Sequence, residues 1–162
     1  MAVNRAYTGV LVGGLLAGVL DIVYAFILAA PRGATPLRVL QSIASGVLGT
    51  GAYRGGIATG VLGLALHLTI TVVAAWIFWF SVRRSIHLVR NILWCGLVFG
   101  VLVYLFMNFA VLPLSAVPFQ LKYSPPVILQ GLVSHAALVG LPIAWCLRWL
   151  AVRAATRSHN DA

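Results

Sequence analysis

Acidic side chains are nearly missing from this chain: Asp21 and Asp161 are the only two, set against 11 Lys and Arg. With one acid in an apolar run and the other in a polar tail, no carboxylate pair is available for acid–base catalysis. Charge of either sign makes up 8% of the residues, where a soluble domain carries about 25%. Such a chain cannot solvate a globular surface, and a soluble domain is excluded. The two cysteines, Cys95 and Cys146, form no CxxC pair and are too few for a disulfide framework; both read as small apolar fillers. There is no GxSxG, HExxH, CxxCH or His-x3-His pattern and no glycine-rich phosphate loop, so no catalytic residue is assigned. The basic residues sit between apolar runs and make no stripe interleaved with aromatics, which argues against nucleic acid and for anionic lipid headgroups.

What is present is apolar: 62% of residues are hydrophobic. Between Arg54 and Arg83 no formally charged residue occurs, a length that exceeds the roughly 20 residues a helix needs to cross a bilayer. The expectation is an all-α integral membrane protein, one domain over residues 1–162, with spans at about 8–30, 57–81, 92–118 and 127–150. The first run contains Asp21, and Pro31 follows the Ala30 where a signal peptide might be cut; it reads as a retained span.

The connection TPLRVLQSIASGVLG predicts a short helix over 36–48, with Thr35 as N-cap, Pro36 at the first position and Gly49 or Gly51 as the stop. Its polar face carries Arg38, Gln41, Ser42, Ser45 and Gly49; its apolar face carries Leu37, Leu40, Ile43, Ala44, Val47 and Leu48. Too short to span, it is expected to be amphipathic or re-entrant and to cover the outer mouth of the bundle.

Charge sets the orientation. The two tails, the middle connection and the last helix end hold seven basic residues (Arg5, Arg83, Arg84, Arg90, Arg148, Arg153, Arg157); the other two connections hold four (Arg32, Arg38, Arg54, Lys122). That imbalance predicts cytoplasmic N- and C-termini. Trp76, Trp79, Trp94, Trp145 and Trp149 fall toward the same side, as an interfacial belt would.

Each span contributes one polar residue on its glycine-bearing face. Asp21 follows Gly14 and Gly18; His67 follows Gly56, Gly60 and Gly63; Asn108 follows Gly96 and Gly100; His135 follows Gly131. Such GxxxG-like spacing lets a neighbouring backbone come close. Counted inward from the expected ends at Ala30, Ile57, Pro118 and Val127, the four residues lie roughly 12–15 Å deep and should face the bundle interior. Three readings stay open. The cluster is an interhelical hydrogen-bond network in a non-enzymatic accessory or scaffold protein. It is a proton or ion pathway using Asp21, His67 and His135. Or His67 and His135 are axial haem ligands, or those two with Asp21 hold a divalent metal, in a redox protein, although no ligand motif supports a metal. The lipid bilayer is one partner; a second copy or another membrane subunit remains open.

The runs LDIVYAF, PLRVLQSIASGVLGTGAYRGG, GLALHL, MNFAVLPLSAVP and SHAALVGLPIA resemble the YagU-like (DUF1440-type) family of bacterial inner-membrane proteins. The resemblance covers most of residues 8–148 and includes Asp21, Pro36, Gln41, His67, Asn108, Pro113 and His135. It implies a four-helix fold and an inner-membrane location, and no reaction.

Reporter fusions at residue 87 and at the C-terminus should both report cytoplasm; a periplasmic signal at either position overturns the orientation.

Overall fold

Runs without charge or interior helix breakers form helices because, away from water, every backbone N–H and C=O must find its partner within the segment. In the computed structural model, which describes residues 2–119 and 124–149, four helices are long and apolar enough to cross a membrane: Ala6–Arg32, Gly56–Val82, Ile92–Leu114 and Pro125–Trp149. They are called spans one to four below. Among the described residues there is no strand. Lys122, Arg153, Arg157 and Asp161 lie outside these residues, as does residue 150 at the expected end of span four.

Span one tightens into a 3-10 turn at Ala30–Arg32 and stops at Gly33, whose φ of 76° is left-handed and suits a residue without Cβ. A 13-residue helix, Pro36–Leu48, follows; Thr35 accepts from the Arg38 N–H at 3.2 Å, and the Gly49 N–H closes the far end on Ser45 O. Span three ends at Leu114, four residues before the expected Pro118. The reason is twofold: Val117 precedes a proline and is biased away from helical angles, and the Ala116 N–H leaves its own helix to donate to Gly46 O of the short helix at 2.9 Å. Two π turns interrupt the long helices, Met107–Val111 in span three and His135–Gly140 in span four. Each lies just ahead of a proline, Pro113 or Pro142. Proline has no N–H to offer and its ring crowds the carbonyl four residues back, and a locally widened helix relieves that clash.

Span one packs on spans two and four, and span three on span four, while spans two and three touch far less. Glycine sets the close contacts. Gly14 and Gly18 admit Val72, Thr71 and Leu68 of span two; Gly96 and Gly100 lie against Gly140, Ala136 and the His135 carbonyl of span four. Gly60 and Gly63 serve a different neighbour: the short helix, through Leu37, Leu40 and Ala44. Gly56, expected on the same stripe, instead begins the helix with φ of 57° and has open space around it.

In the half of the bundle toward Tyr7 and Arg83 the spans share a buried core. Val10, Ala75, Phe78, Val82, Ile92, Ile143, Ala144 and Leu147 form one buried cluster there. At the same end Tyr7 meets Trp76 and Trp79 with ring centroids 5.2 and 5.6 Å apart, and the Arg83 guanidinium lies 4.6 Å over Trp79. The other half is less filled, and the short helix lies over it.

Gly140→Leu should lower the melting temperature in detergent, since its side chain would strike Gly96 backbone; overpacking of this kind costs about 1–3 kcal/mol. Gly51→Ala, with nothing within 4 Å of its new Cβ, is the control and should melt like the wild type. Equal melting of all three proteins would show that the glycine contact does not set the helix spacing.

Candidate functional site

The hollow half encloses a cavity of about 290 Å³. Its walls come from the four spans, and its roof from Ser42, Ile43, Gly46 and Val47 of the short helix together with Ser115, Val117 and Phe119. Most of the surface is aliphatic. Asp21, His67 and His135 all line it, brought there from three different spans.

Asp21 and His67 form the closest pair, with Nε2 3.8 Å from Oδ2; their side chains are 17% and 13% exposed, so both are largely withdrawn from the surface. That separation is an ion-pair distance, longer than a hydrogen bond. The His67 ring instead donates from Nε2 to Gly18 O of span one at 3.0 Å; a carbonyl only accepts, so the proton must be on Nε2. Gly18 makes that approach possible, because a Cβ there would come within 2.6 Å of Thr71 Oγ1. His135 is held within its own span: Nδ1 donates to Gly131 O at 3.0 Å, and the ring meets Tyr104 edge-on with centroids 5.2 Å apart. The π turn that begins at His135 changes the helical phase there.

Asn108 does not line the cavity with the other three. Its Nδ2 donates to Tyr104 O, one turn back on span three, at 2.9 Å. The depth count placed it with the others by starting from Pro118; with the helix ending at Leu114, Asn108 is nearer that end.

Three of the residues assigned to the polar face of the short helix divide between two environments. Arg38 is exposed, its guanidinium 3.7 Å over the Tyr53 ring. Gln41 is 5% exposed and donates from Nε2 to Gly56 O at 3.0 Å; Ser45 is fully buried and donates to Ser42 O at 2.7 Å. Buried polar side chains need such partners; the Gln41 bond fastens the short helix to the start of span two, while the Ser45 bond stays within the helix. Among the apolar residues, Leu37 and Leu40 cover Gly60 and Gly63, while Val47 and Leu48 are exposed. The hydrophobic face is therefore split, part of it against protein and part of it open.

Three hydroxyls line the cavity, Ser42, Thr71 and Ser115, of which Ser115 went unassigned by sequence reasoning. Each donates to a carbonyl three residues back, Val39, Leu68 and Leu112, at 2.7, 3.0 and 2.7 Å. Also unassigned was the pair that joins spans one and four, Gln130 Nε2 donating to Tyr24 Oη at 2.8 Å. A glutamine inside an apolar run was the available signal, since it must find a partner. Among the described residues no group of three or more His, Cys, Asp or Glu is placed to hold a metal ion. Comparisons with protein-family models, curated proteins and solved structures gave no match.

Tyr24→Phe should destabilise the bundle by about 1–3 kcal/mol, because it strands the Gln130 amide in apolar surroundings. Tyr24→Phe with Gln130→Leu removes both partners and should recover most of the loss in a thermal melt. A double variant no more stable than Tyr24→Phe would mean the pair is not an isolated link.

Proposed function

We propose that the chain is a non-enzymatic accessory protein of the bacterial inner membrane, with both termini in the cytoplasm. On this reading it acts as a receptacle: its interior accepts a group from a ligand or partner rather than carrying ions from one side to the other. The carrying observation is the apolar packing on the terminal side of the cavity: Ala74 and Val139 line it, and Phe78, Phe99 and Ile143 belong to or pack on the buried cluster, with the Phe78 and Phe99 rings 5.1 Å apart. A conductor needs polar groups or water in succession, whereas the side chains on the terminal side of Asp21 and His67 are aliphatic and aromatic. The short helix serves as a re-entrant roof at the outer mouth, in keeping with its Gly46 O···Ala116 N bond and its buried Gln41. The resemblance to YagU-like proteins fits the same location.

The runner-up is a proton or ion conductor built on Asp21, His67 and His135. Its support is that all three share one cavity, with Asp21 and His67 at 3.8 Å.

Proteoliposomes loaded with a pH-sensitive dye separate the two. The receptacle should show flux no greater than protein-free vesicles at acid, neutral and alkaline pH. Wild-type flux that Asp21→Asn abolishes, with helical content and melting temperature unchanged, would put the conductor in its place.

A further inference from the structure

The cavity has neighbours that extend it. A groove of about 480 Å³ runs between spans two and three, where the bundle is most loosely joined. Ile70, Ala74, Val103, Met107 and Val111 line both the groove and the cavity, so the two spaces share a wall. The groove walls are almost wholly apolar, and its outer edge carries Val73, Ile77, Leu102 and Phe106, all exposed on the surface that four apolar spans turn toward lipid.

The polar groups at the inner end have one chemical character. Five lining side chains can donate a hydrogen bond: Ser42, His67, Thr71, Ser115 and His135. Every one already donates to a main-chain carbonyl, at 2.7 to 3.0 Å. What they leave toward a guest is acceptors: hydroxyl lone pairs and, on each neutral imidazole, the nitrogen without a proton. Among the described residues no Lys or Arg lines the space. Asp21 is the acid there, and among the described residues nothing donates a hydrogen bond to its carboxylate, His67 at 3.8 Å being the nearest partner. An ionised carboxylate in apolar surroundings needs a cation or donors.

We infer that the cavity binds a monocationic amphiphile, a protonated amine on an apolar chain, which reaches it from the bilayer between spans two and three. The ammonium supplies both things the site lacks, a positive charge for Asp21 and N–H donors for the surrounding acceptors, while the chain lies in the groove. An anion finds neither charge nor a free side-chain donor. This assignment rests on the receptacle reading and adds the class of ligand and its route.

The test uses n-decylamine and, as its charge opposite, n-decanoate, titrated calorimetrically into the full-length protein in nanodiscs of zwitterionic lipid, with empty nanodiscs subtracted. Decylamine should bind saturably and decanoate should not. Asp21→Asn should weaken decylamine by about tenfold or more, as loss of one partner in a desolvated charge pair does. Val103→Trp, which narrows the shared wall and leaves Asp21 in place, should weaken it similarly. Decanoate binding as tightly as decylamine, or no saturable decylamine binding, overturns the inference on the wild-type protein alone, even if a variant fails to fold. So does decylamine binding unchanged by Asp21→Asn. Vesicle flux keeps the two proposals apart. Conduction removes the receptacle whatever the amine does, whereas a non-conducting protein that ignores decylamine loses only its ligand assignment.

Discussion

Close approach of one backbone to another holds this bundle together. Lipid tails are as apolar as leucine, so burying apolar side chains between spans gains little, and association must come from dense packing and from hydrogen bonds across helices. At Gly96, Gly100 and Gly140 spans three and four press main chain against main chain; at Gly14 span one does the same to span two, while Gly18 takes in the Thr71 and Leu68 side chains; at Gly63 the short helix does so through Leu40. Much else follows from these contacts. The His67 bond to Gly18 O exists because a glycine lets the imidazole reach a carbonyl. The weak seam between spans two and three exists because their glycines are turned toward other neighbours.

The two π turns belong to the same account. Proline at 113 and at 142 cannot complete the helical ladder, and each span widens just before it. These widenings sit at the level of the cavity, and Met107, Val111, His135 and Val139 line it from within them. A straight helix would present other side chains at those heights. The irregular backbone thus helps to make the space as well as bordering it, a role that π turns often take near functional positions.

The spans were legible because length and lack of charge suffice for them, and helix ends marked by Pro31, Gly33, Thr35, Pro36 and Gly49 fell within a residue or two. Convergence of Asp21 with His67 was legible for the same reason: an acid and an imidazole on glycine faces must turn inward. Depth was less so. Counting residues assumes an unbroken helix and a known end, and Asn108 violated the second condition when span three stopped at Leu114. The short helix shows a deeper limit. Amphipathic periodicity separates Gln41 and Ser45 from Leu40 and Ala44, but cannot tell that a polar face will be satisfied by backbone rather than water. Donor use is equally hidden, since a serine that donates to its own helix and one that faces a ligand look alike in a sequence.

The two halves also differ mechanically. Around Ile143 and Ala144 the side chains are close-packed, and matter at that density barely yields to compression. Around Asp21 there is empty volume bounded by a loosely joined seam, and grooves between spans two and three continue that seam past Phe99. A change in the lateral pressure of the bilayer therefore does its work along that seam, while the glycine contacts between spans three and four resist it.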